Sequence, residues 1–216
     1  MLAEAWSYFL YFYTFLHQLM VPCSNPEQLL VNSDNWQQYL GRWHFQAAVS
    51  RRDADIHKFK ALDSVVFTIE DAANDTLVLT GHMRMGDNCL KQIWTYHIQP
   101  GSEDLLLEGR PQRRNLLWSG TWAACSDCII FQEVEPPLRE TDSEDSLNRY
   151  MLYARQKDVN SNVMTTFFKN SACRNLKESV RLAQEKGLLL RRLTKMLKFL
   201  FFFTEMFLFW FPEFCH

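Results

Sequence analysis

The chain carries almost no imbalance of charge: 23 Lys and Arg against 25 Asp and Glu leave a formal net charge of -2 over 216 residues. Phosphate backbones are held by basic surfaces, so this balance argues against nucleic acid as the main partner. A second CxxC is missing too. Cys125-Ser126-Asp127-Cys128 has the spacing of half a zinc site or of a redox pair, but Cys23, Cys89, Cys173 and Cys215 are all isolated. A thiolate zinc site would need another pair, and a thioredoxin-like motif would need a βαβ setting that is nowhere visible. No metal or cofactor is therefore expected. The apolar N-terminal run, residues 5–16, is uncharged but shorter than the roughly 20 residues that span a bilayer.

That run has the length of a signal-peptide core, yet two hallmarks are absent. No Lys or Arg precedes it, and Leu19-Met20-Val21-Pro22 offers no small-x-small site before Cys23. Residues 1–22 are expected to stay attached as a lipid anchor, with ordinary cleavage as the alternative. An apolar leader followed by six cysteines reads as a disulfide framework in an oxidising compartment. Spacing alone leaves its connectivity open. Asn74-Asp75-Thr76 is a glycosylation acceptor, at home on a secreted loop.

What the chain does have is aromatic residues, 14% of the total, including 17 Phe and 7 Trp. That exceeds what a small core needs and points to an apolar cavity, a lipid contact, or both. Gly41-Arg42-Trp43 opens an alternating stretch with Trp43, Phe45, Ala47 and Val49 on one face and Arg42, His44 and Gln46 on the other. Further strands are read over residues 62–70, 77–85, 89–98, 104–110, 116–123, 129–134 and 149–155, with turns and loops rather than helices between. Eight such strands predict an all-β fold, an eight-stranded antiparallel up-and-down barrel over residues 23–186, because closure removes exposed edges. Eight strands leave room for side chains or one small ligand. Beyond them Val163, Phe167, Phe168, Leu176, Val180 and Leu182 suggest a helix with an apolar stripe on the barrel wall. From Gly187 the tail, residues 187–216, turns basic and then Phe-rich. It reads as an interfacial segment or as an aberrant end.

Gly41-Arg42-Trp43, the eight-strand meander and Arg155 at the end of the last strand together resemble the lipocalin family. Arg84-Met85, Trp94-Thr95-Tyr96-His97, Glu108-Gly109-Arg110-Pro111 and Arg149-Tyr150-Met151-Leu152-Tyr153 are similar, in order and separation, to its apolipoprotein M branch. The resemblance covers roughly residues 1–180 and implies that Trp43 and Arg155 stack across the closed end of the barrel, a structural contact. It implies a secreted, monomeric carrier on high-density lipoprotein, holding sphingosine 1-phosphate or a related lysolipid, with fatty acids or retinoids as other cargo. It further implies Cys23 paired with Cys173 and Cys89 with Cys215. Cys125 lacks its family partner near Val163, and Cys128 stands in for it.

The side chains suit that cargo. Parity on strands 104–110 and 149–155 turns Arg110 and Arg149 inward, and a guanidinium holds phosphate through paired donors. Trp94 and Tyr96 offer indole and phenol donors on a shared face, Glu133 would pair an ammonium, and Tyr153 a hydroxyl. The plainer readings are surface charge for the arginines and core packing for Trp94. One donor of the family pattern is missing, because Gln92 stands two residues before Trp94 and Lys91 lies on the opposite face. Two other functions fit the same sequence. One is an enzyme with Cys125 or Cys128 as nucleophile; the other is a membrane-tethered interaction protein with an empty barrel.

Overall fold

The computed structural model describes residues 6–13, 23–31, 36–72, 75–99, 101–137 and 146–182. Residues 6–13 are helical (α1) with every side chain exposed. A two-residue strand, β1 (Gln28–Leu29), precedes the eight barrel strands. These are β2 (Gly41–Ser50), β3 (Ser64–Asp71), β4 (Thr76–Met85), β5 (Asn88–Ile98), β6 (Leu105–Leu107), β7 (Arg114–Ser119), β8 (Cys128–Glu135) and β9 (Leu147–Ala154). Each pairs antiparallel with the next, and β9 pairs back onto β2, so the sheet closes. Helix α2 (Ser161–Cys173) and a short strand β10 (Glu178–Arg181) follow; β10 adds to β2 and β1 to β7. The fold is the all-β, eight-stranded antiparallel barrel that the alternation predicts.

Burial divides into two layers separated by the barrel wall. Inside lie Trp43, Phe45, Val65, Ile69, Leu117 and Phe131 among others. Outside, α2 buries Val163, Met164 and Phe167 against Ala47, Val49, Ile130 and Leu152. The helix begins at an Asn160 cap whose side chain accepts from the Asn162 backbone N–H.

Four details depart from the sequence pattern. Trp43, Phe45, Ala47 and Val49 do not share a face, because the pairing of β2 with β9 shifts register between Phe45 and Ala47. The extra residue is Gln46, whose amide reaches the carbonyls of His44, Gln156 and Lys157. Beyond this bulge parity inverts, so Ala48 joins the interior while Ala47 and Val49 face α2. Trp118, Gly120 and Trp122 likewise fall on two elements, since β7 ends at Ser119 and Gly120–Ala123 is a 3-10 turn capped by the Ser119 hydroxyl. Strand 104–110 contracts to Leu105–Leu107, and Glu108 and Gly109 turn away, with Gly109 at φ +76. The apolar stripe past the barrel is not one helix: α2 stops at Cys173, and Val180 lies in β10.

Cys23 and Cys173 form a disulfide that ties the chain start to the end of α2, and Cys125 bonds Cys128. With that bond made, neither of the pair weighed as nucleophile presents a thiolate. Cys89 is disulfide-bonded as well. Its expected partner Cys215, the acceptor Asn74, the tail from Gly187 and most of the leader lie outside the described residues.

Candidate functional site

One end of the barrel is plugged. The 3-10 turn Trp36–Tyr39 crosses it, and the Trp43 indole N–H donates to the Tyr39 carbonyl at 2.7 Å. The Arg155 guanidinium lies over the Trp43 ring, 3.7 Å from its centroid, and donates to the carbonyls of Leu40 and Gln38 at 2.7 Å each. Gly41 enters at φ +90, a left-handed conformation that favours glycine, and a Cβ there would stand 3.4 Å from Arg155 Nη1.

Above this floor is a cavity of about 1000 Å³ walled by Phe67, Leu79, Leu107, Leu117, Phe131 and Met151. Trp94 tilts against Phe67 at 5.4 Å between centroids. It can do so because residue 81 is glycine: a Cβ there would sit 2.7 Å from the indole and 2.9 Å from the Phe67 ring. Among the described residues, neither the Trp94 indole nor the Tyr96 hydroxyl has a hydrogen-bond partner, and both side chains line the cavity. Gln92 lines it too, whereas Lys91 is exposed.

The polar groups gather at the open end as interlocked ion pairs. Arg149 donates from Nε to Glu133 Oε2 at 2.5 Å and from Nη1 to the Asp55 carbonyl at 2.9 Å, with its guanidinium 5.1 Å from the Phe59 centroid. Arg113 donates from Nε and Nη2 to Glu135 Oε2 at 2.9 and 2.6 Å and stands 3.6 Å from Glu133. Glu133 is 8% exposed and is paired with two arginines, as a buried carboxylate requires. Burial, and then the Glu133 charge, push both the Tyr96 and Tyr153 phenols well above their ordinary value, so each remains a neutral O–H.

Three expectations change. Arg110 is not on an inward strand face: it follows the Glu108–Gly109 turn, is 60% exposed, donates to Glu135 at 3.4 Å and borders the cavity only at its margin. Glu133 is not a free carboxylate awaiting an ammonium but the shared partner of Arg149 and Arg113. Tyr153 lies deep among Phe45 and Phe67 and donates to the Met151 sulfur at 3.6 Å. Arg149, Trp94, Tyr96, Glu133, Tyr153 and, at its margin, Arg110 all line one cavity. The residue that sequence reasoning missed is Arg113. Its signal was parity: β7 begins at Arg114, and counting back from inward Leu117 through Asn115 puts residue 113 on the cavity side.

A family model for the ApoM domain matches residues 1–189, most of the chain. The chain belongs to the ApoM family. Apolipoprotein M of Rattus norvegicus is 25% identical over 185 residues, covering 82% of this chain and 91% of the relative. Apolipoprotein M of Mus musculus is 24% identical over the same span and coverage. Among solved structures, the siderocalin Ex-FABP superposes with a TM-score of 0.52 at 17% identity, over 67% of this chain and 93% of its own. A second siderocalin gives the same TM-score at 14% identity, over 69% and 91%. At such identities the likeness speaks for the barrel alone: this ApoM-family chain has a lipocalin fold.

Proposed function

We propose that this ApoM-family barrel is a secreted carrier for a single-chain lysolipid with a phosphate headgroup, of which sphingosine 1-phosphate is the leading candidate. The observation that carries the reading is an apolar cavity whose open end is ringed by paired Arg and Glu side chains. Its volume matches that of small-molecule sites, large enough for one acyl chain laid down toward Trp43. A zwitterionic headgroup fits the rim because it replaces both halves of an existing pair. Phosphate takes the forks of Arg113 and Arg149, an ammonium takes the freed Glu133 carboxylate, and Glu135 keeps Arg110, so no buried charge is stranded. Fatty acids or retinoids would fill the same tube with fewer rim contacts. The curated relatives are apolipoproteins, and α1 exposes Trp6, Phe9, Leu10 and Phe12. Those side chains support association with high-density lipoprotein through a retained leader, since an apolar helical face partitions into a lipid surface.

Lipid extraction and mass spectrometry of the protein purified from secreting cells should return a lysophospholipid. Titration should then show Arg113→Met and Arg149→Met each weakening sphingosine 1-phosphate binding by about 1.5–3 kcal/mol, roughly 10- to 150-fold. Arg110→Ala should change it less than either. Equal affinity in all three variants would remove the rim as the headgroup site.

A further inference from the structure

The barrel wall is incomplete beside β5. Its ladder with β6 covers only Tyr96–Ile98, and the last bond across is Glu108 N–H to the Thr95 carbonyl. Among the described residues, no strand pairs with Asn88–Trp94 on that side. The cavity reaches this gap, because Gln92, Ile93 and Thr95 line it from one bank and Glu108, Gly109 and Arg110 from the other. Gly109 has nothing within 4 Å of where a Cβ would be, so the gap is open space.

The same hairpin continues the apolar wall outward. Gly81 and Met83 on β4, with Trp94, Gln92 and Leu90 on β5, project to the inner face by register, since Leu79 pairs with Trp94 and Met83 with Leu90. Following that face from Trp94 leads past Met83, a cavity wall, to Leu90 at 48% and Met85 at 39% exposure. Ile93, at the unpaired edge, is 56% exposed. An apolar strip that begins inside a cavity and ends in water on an edge that no described strand pairs is unusual, because natural edges are charged or covered. Lys91 and Arg84 flank the strip from the opposite face of the same hairpin, both exposed. Apolar side chains with adjacent cations complement phospholipid chains and phosphates.

We propose that the β4–β5 hairpin is the surface through which the barrel docks on a phospholipid layer to load and unload its cargo, the acyl chain sliding along Leu90 and Met83 without crossing water. The proposal rests on the carrier reading above and adds a partner surface to it. In the full-length protein, transfer of a fluorescent single-chain lysophospholipid from phosphatidylcholine vesicles should accelerate in proportion to vesicle concentration. Met85→Glu combined with Leu90→Glu should slow transfer at least tenfold with equilibrium affinity within twofold of the parent. Leu90→Phe, which keeps the apolar contact, should preserve the rate. The unaltered leader is common to all forms, so a difference in rate belongs to the hairpin. A rate independent of vesicle concentration, or unchanged in the double variant, overturns the proposal. So does a dimer in sedimentation that the double variant abolishes, which would assign the strip to a second copy. A parent protein that binds no lysolipid at equilibrium would instead overturn the carrier reading.

Discussion

At position 81 one methyl group separates two shapes of the cavity. The Trp94 indole occupies the space a Cβ would need, so Gly81→Ala must push the ring toward the cavity axis or spread β4 from β5. Overpacking of this kind costs about 1–3 kcal/mol. The expected result is a lower Tm, a shifted tryptophan emission and weaker binding of long-chain cargo; an unaltered emission spectrum would show that Trp94 has not moved. The pairing of Arg155 with Trp43 was legible through the resemblance to the lipocalin family, whose pattern both residues match. Arg113 was not. Its direction follows from which turn residue begins β7, and two adjacent arginines look alike until the register is known: Arg114 faces Asp104 outside while Arg113 reaches Glu135 at the rim.

Strand β2 owes its double role to a bulge. Before it, Trp43 and Phe45 fill the barrel; after it, Ala47 and Val49 make the seat for α2. Gln46 holds this switch by donating to the carbonyls of Gln156 and Lys157, both in exposed residues where water can partly replace it. Gln46→Ala should therefore cost only about 1 kcal/mol, with faster hydrogen exchange confined to the β2–β9 pair and lipid affinity unchanged. The eight strands were readable because half-buried strands keep a period of two. The bulge was not, since an inserted residue leaves the sequence alternating on both sides of it. The short β6 was overread because Leu105–Leu107 and the residues up to Pro111 read as one strand, but the positive φ of Gly109 ends the ladder.

For the molecule as a whole, two features govern stability. The bond between Cys23 and Cys173 spans 150 residues of chain, so its loss should cost about 2–5 kcal/mol. Cys23→Ser with Cys173→Ser should lower Tm and free the segment that carries α1 from the barrel. The buried phenols set the alkaline limit. Tyr96 and Tyr153 have folded pKa values raised above the unfolded value near 10, so the neutral form is favoured by folding. Their contribution is complete below about pH 10 and is lost as pH rises through the interval above it. An ultraviolet titration should find these two silent until the barrel unfolds; smooth ionisation of all seven tyrosines in a folded protein would contradict the burial.

By itself the sequence determined the closed β-barrel and the apolar character of its interior, because both are written in the local alternation of side chains; its plugged end was legible only through the family resemblance. The tertiary structure decided which charges meet. Whether an arginine faces the cavity depends on register, on a bulge and on where a short strand stops, and these are settled by long-range pairing that no window of neighbouring residues contains. Glu133 shows the consequence. Alternation aims it inward, but only the register of β8 against β9 and β7 brings Arg149 and Arg113 to it.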